Sequence, residues 1–221
     1  MLNRYVILQI LLGILLFSPG SAIAGEPCTA FEGGLVNPKL LQVMRNAARE
    51  GRLFQVVPGA SSAGFCVDYL FGQEFRSEAS NIVGGLALPP GPRQHGQALL
   101  LIHADSMTAN NPELLPLAQG PRFLDTRRYP KILFIGRAFE WLNPLQGYIY
   151  GDLTLHGRTQ PVVFNINIEV LETGLGDLPT RILLTGNSEV NRHQFNMNSH
   201  RLLVSDNVRL CLSVELAAWD H

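Results

Sequence analysis

Six histidines, His95, His103, His156, His193, His200 and His221, are the side chains best suited to acid–base or metal chemistry. His193 and His200, with Asp206 close behind, make the nearest approach to a cluster. With Asn and Ser between them, the two histidines match no common metal-ligand spacing. No Gly-x-Ser-x-Gly elbow, phosphate-binding glycine loop, His-Glu-x-x-His helix or paired-cysteine motif occurs. The expectation is therefore no catalytic residue, no metal and no enzyme.

Three cysteines, Cys28, Cys66 and Cys211, raise a second kind of chemistry. Arg4 precedes an apolar run from Val6 to Phe17, and Ser21-Ala-Ile-Ala24 offers small residues for cleavage, the pattern of a secretory signal peptide over residues 1–24. The run is shorter than the roughly 20 apolar residues a spanning helix needs. Cleavage near Ala24-Gly25 implies a periplasmic or secreted protein in an oxidising compartment, where three cysteines permit three pairings. Cys66 falls in an early strand and Cys211 in the last, so a Cys66–Cys211 bond and three buried free thiols both remain open.

Residues 25–221 suffice for one domain with a substantial core. The chain carries 17 Lys and Arg against 18 Asp and Glu, which gives no basic footprint for nucleic acid. Charged residues are 16% and AVILMFWYC 46%, so apolar surface must be buried in a core or offered to an apolar ligand. Within residues 25–52, Asn37-Pro38 and Gly51 bracket a short amphipathic helix with Leu40, Leu41, Met44 and Ala48 on one face, expected to cover one end of the fold.

From residue 53 to 221 short apolar runs broken by Gly, Pro and Asn mark an all-β chain. Strands are expected at 53–57, 64–71, 99–104, 131–135, 162–170, 181–190 and 208–216. His156-Gly157 makes a hairpin turn, with the next strand starting after Pro161. Val162, Phe164, Ile166, Ile168 and Val170 alternate with polar or exposed positions, as do Val208, Leu210, Leu212, Val214 and Leu216, so these strands have one wet side. Residues 112–119 read as a short helix or irregular loop interrupted by Pro116, and Pro89-Pro90-Gly91-Pro92 as a turn. Eight or nine such strands close equally well as a sandwich or a barrel.

Asp125-Thr-Arg-Arg-Tyr-Pro130-Lys-Ile-Leu-Phe134 and Gly151-Asp-Leu-Thr-Leu-His-Gly-Arg-Thr-Gln-Pro-Val162 resemble the signature of the YceI-like family of periplasmic polyisoprenoid-binding proteins. Asn191-Arg192 with Phe195 is similar to the family's Asn-Arg-x-x-Phe element, and Val204-Ser205-Asp206-Asn207-Val208 to its turn into the final strand. The likeness runs from about Phe54 to Leu216. Departures occur at Val57-Pro58-Gly59-Ala60-Ser61, where the family has Asp-Pro-x-His-Ser, at Pro112–Leu117, which replaces Arg-Asp-x-His-Leu, and at Asn196, where Gly is usual.

The resemblance implies a closed antiparallel lipocalin-like β-barrel of about eight strands whose lumen holds an apolar lipid chain, a polyisoprenoid or isoprenoid quinone. Lumen candidates are Phe65, Val67, Phe134, Phe164, Ile166, Leu210 and Leu212, with ordinary core packing the competing role. Arg192 is the head-group candidate, a structural ion pair its alternative, while Arg127 and Arg128 read as solvated loop charge. A quinone-linked membrane redox protein and a homodimer stay open as partners. The competing function is a non-enzymatic binding module, or a stress-related exported protein, with a filled barrel acting through a protein partner.

Overall fold

The computed structural model describes residues 31–32, 35–36, 42, 44–46, 49, 53–88, 96–175 and 178–219. The expected signal peptide, Cys28, Leu40, Leu41, Ala48 and the Pro89–Pro92 turn lie outside them. In the N-terminal extension, β1 (Phe31–Glu32) and β2 (Leu35–Val36) form a small antiparallel pair, followed by helical residues at 42, 44–46 and 49.

The remaining strands are β3 (Leu53–Val56), β4 (Ser62–Tyr69), β5 (Gln73–Ala79), β6 (Ile82–Ala87), β7 (Gln97–His103), β8 (Met107–Ala109), β9 (Lys131–Asn143), β10 (Gln146–Leu155), β11 (Arg158–Thr173), β12 (Pro179–Asn191) and β13 (Asn207–Ala218). They make one antiparallel sheet that closes because β13 pairs with β12 on one side and with β3 and β4 on the other. β3 with β4, β5 with β6 and β7 with β8 are three long strands, each broken once, so the wall is a closed eight-stranded barrel of sequential neighbours. Of the two closures open to the alternating strands, the barrel is the one observed.

The three breaks line up across adjacent strands. Five residues, Val57–Ser61, stand opposite Val214 and Glu215, with Gly59 at φ 78° taking the tight corner. The Ser61 hydroxyl accepts the Glu215 N–H at 3.1 Å and ties the bulge to β13. Beyond it, the Asn81 N–H donates to the Ser106 hydroxyl at 3.0 Å, linking the second break to the third, where Ala104–Ser106 form a single 3-10 turn. Past that turn the chain leaves β9: β8 pairs with β5 alone. Residues 110–130 fill the gap and carry the helix Leu115–Ala118, which Pro116 opens rather than interrupts.

Two expectations need correction. β11 starts at Arg158, not after Pro161; proline is tolerated inside it because β12 joins β11 only from Asn165 onward, leaving that stretch an edge. The amphipathic helix lies on the outer wall and not over a barrel end. Met44 packs against outward-facing Leu99, Leu101, Leu133 and Ile135, an apolar stripe that would otherwise face water. Among the described residues no helix is long and apolar enough to cross a membrane.

Candidate functional site

The barrel interior has two halves. Toward the end that holds the β9–β10 and β11–β12 turns, Val56, Leu86, Phe139, Ile149, Ile166, Ile182, Leu184, Val214 and Leu216 pack into a filled core. Toward the other end a cavity of about 250 Å³ opens between β4, β5, β7–β13 and two covering segments, residues 114–124 and 192–204.

Period two delivers the walls: in β13 the inward set is Val208, Leu210 and Leu212, and in β4 it is Ala63, Phe65, Val67 and Tyr69. Phe65 packs at 5.9 Å from Phe75, and Phe134 meets Phe164 edge-on at 5.0 Å. A Cβ at Gly151 would stand 2.7 Å from the Phe134 ring, so glycine there lets that ring lie along the wall. Of the lumen candidates, Phe65, Val67, Phe134, Phe164, Leu210 and Leu212 border the cavity. Ile166 does not; it is 1% exposed in the filled half, beyond Gly186.

Of the two roles expected for Arg192, head-group contact or structural ion pair, its hydrogen bonds match the structural one. Its Nε–H donates to the Ser205 carbonyl at 2.9 Å, Nη1 to Met197 and Ser199 carbonyls at 2.7 Å each, and Nη2 to the Val204 carbonyl at 3.1 Å and Asp206 Oδ1 at 3.3 Å. A guanidinium has five N–H donors and all are used. Arg192, 1% exposed, is a clamp on loop 192–206 with nothing left to offer a ligand. Burial holds its pKa below the ordinary value, and Asp206 opposes that shift.

Its neighbours serve the same loop. The Asn191 side chain accepts the His193 N–H at 2.9 Å, Phe195 is wholly buried, and Asn196 takes a left-handed φ of 64°. His193 bridges Asn198, at 2.8 Å, and Asp206, at 2.6 Å. That hydrogen bond is the main reason the Asp206 carboxyl sits below its usual range. His200 stands apart, stacked on Phe123 at the cavity, and its Nδ1 is buried without a partner. The two histidines that looked closest in sequence thus point to different places. Among the described residues no group of three or more His, Cys, Asp or Glu is arranged to hold a metal ion.

His156, at φ 52°, and Gly157, at φ 70°, form a hairpin turn whose His156 Nδ1 meets the Phe195 carbonyl at 2.9 Å, joining it to the covering loop. Arg128 lies over the Tyr129 ring and Arg127 is exposed. Cys66 and Cys211 are both free, on the outer face of β4 and β13. The register sets Cys66 opposite Arg209 and Cys211 opposite Gly64, so the two free thiols are diagonal neighbours in side-chain contact. Burial, and then the adjacent Cys66 thiol, raise the Cys211 pKa.

Sequence reasoning missed the covering segments, with Leu114, Leu117, Phe123, Met197, His200 and Leu203 on the cavity. They lie in loops and one single-turn helix, too short or irregular for periodicity to mark an inward face.

The YceI-like domain matches residues 54–216, the barrel just described. The chain belongs to the YceI-like family. Solved structures agree on the YceI-like fold: BcnA of Burkholderia cenocepacia is 16% identical with a TM-score of 0.62, over 72% of this chain and 98% of that one. A polyisoprenoid binding domain from Saccharophagus degradans, implicated in plant cell wall breakdown, is 14% identical with a TM-score of 0.58, over 75% and 98%. The Campylobacter jejuni YceI protein is 20% identical with a TM-score of 0.56, over 66% and 85%. No curated protein matches the chain.

Proposed function

We propose that this YceI-like protein binds the hydrocarbon chain of a lipid, with isoprenoid lipids and quinones the first class and fatty-acyl lipids the second, and carries it through the periplasm as an exported, non-catalytic protein. The observation that supports this reading is the half-hollow barrel: aliphatic and aromatic side chains border a cavity where a packed core would otherwise stand. Each methylene moved from water into such a space gains about 0.8 kcal/mol before ordering costs, so a long tail binds without polar contacts.

With Arg192 saturated, the unpartnered Nδ1 of His200 is the group positioned to meet a hydroxyl, carbonyl or phosphate at the end of the tail. Phe65, Val67, Phe134, Phe164, Leu210 and Leu212 hold the chain itself. Organic extraction of protein purified from its native host, followed by mass spectrometry, releases a prenyl or acyl species in stoichiometric amount. Repeated recovery of no lipid overturns the carrier reading and favours a binding module that acts through a protein partner.

A further inference from the structure

The covering segments do not end flush with the cavity. Phe71, in the turn between β4 and β5, and Leu202, in the covering loop 192–204, stand fully exposed, and Leu70, Leu117 and Leu203 are half-exposed. Leu70, Leu117 and Leu203 also line the cavity, so one apolar surface runs from the interior out into water. The tips are coupled: the Leu70 N–H donates to the Leu203 carbonyl at 3.0 Å, the Ser205 N–H to the Asp68 carbonyl at 2.8 Å, and Tyr69 bridges Val204.

The turn that displays Phe71 is strained. Leu70, Phe71 and Gly72 have φ of 31°, 58° and 84°, a region that bulky side chains avoid. Strain of this kind concentrates at functional sites, and nothing within the barrel covers Phe71 in return.

Charge distinguishes this end from the rest of the molecule. Residues 68–76, 110–131, 156–158 and 192–206 hold eight Arg and Lys against five Asp and Glu, in a chain whose net charge is −1. Arg122, Arg127, Arg128, Lys131, Arg158 and Arg201 are exposed. Exposed apolar tips at an end with an excess of exposed cations are the composition that seats a protein at an anionic bilayer surface. The filled end also shows exposed leucines, Leu175 and Leu178, but neither lines the cavity.

We infer that the open end of the barrel docks on an anionic lipid bilayer, Phe71 and Leu202 entering the interface and the surrounding arginines meeting headgroup phosphates, so that the cavity faces the membrane. The inference rests on the carrier reading and adds its route of loading.

Flotation of the processed chain with vesicles of phosphatidylcholine, with and without phosphatidylglycerol, tests it. Binding is about tenfold or more stronger to the anionic vesicles and falls as salt is raised. Phe71→Asp with Leu202→Asp lowers it about tenfold or more, as does Arg127→Glu with Arg201→Glu should the first pair fail to fold. Leu175→Asp at the filled end leaves it unchanged. No flotation, equal loss with Leu175→Asp, or binding to an envelope protein without binding to vesicles overturns the docking. Uptake of farnesol, followed by native mass spectrometry, separates the two ideas: uptake without flotation overturns docking and keeps the carrier, and flotation without uptake does the reverse.

Discussion

All five donors of Arg192 end on oxygens of its own loop, and replacing it strands several carbonyls where water reaches poorly. Arg192→Met is expected to lower the unfolding free energy by about 3–5 kcal/mol, read from urea denaturation, while Arg192→Lys recovers only part because lysine brings three donors. Asp206 adds a pH signature. Its carboxyl is held low by the His193 hydrogen bond in the folded state, so its contribution is complete above the unfolded carboxylate pKa of about 4 and is lost as pH falls through the lower folded value. Thermal melts should therefore lose stability on acidification below about pH 4, and Asp206→Asn should flatten that dependence. The Asn-Arg-x-x-Phe element was visible as a motif, but residue types could not separate a ligand contact from a loop clamp; that distinction needs the positions of five acceptors.

At the scale of elements, β11 and β13 were legible because large apolar residues recur at every second position from Val162 to Val170 and from Val208 to Leu216. β5 and β6 were not. The inward residues of β5 are Phe75, Ser77 and Ala79, and Ser77, with no exposure, hides its hydroxyl by donating to the Thr108 carbonyl at 2.8 Å. β6 contains Gly84 and Gly85, of which Gly84, at φ 149°, could not bear a side chain against the Leu99 carbonyl. Inward positions filled by small or polar residues give no periodic signal. Nor does periodicity tell a hollow layer from a packed one, since Leu210 and Ile166 look alike in sequence. Leu210→Trp, which fills open space, is expected to abolish farnesol uptake with a melting temperature near that of the parent, whereas Ile166→Trp overpacks the core by about 1–3 kcal/mol. Native mass spectrometry and thermal melts of the two variants compare these outcomes; an unchanged uptake in Leu210→Trp would sink the assignment of the lumen.

For the whole molecule, the barrel architecture was readable from alternation together with the family likeness, but the place of the N-terminal helix was not. Its stripe implied a partner surface without saying which, and the partner is an outer strip of β7 and β9 made of Leu99, Leu101, Leu133 and Ile135. Met44→Asp should uncover that strip, costing about 1–3 kcal/mol and raising dye binding and aggregation, both measurable on the purified chain.

The filled lower half of the barrel makes the hollow half a blind tube. On the proposed function, a tail threading in from the mouth would meet Ile149, Val214 and their neighbours as a floor, and the protein would work as a ruler. Across a homologous series of prenyl or alkyl alcohols, affinity should climb by about 0.8 kcal/mol per methylene until the tip touches bottom, then level off as further carbons trail outside.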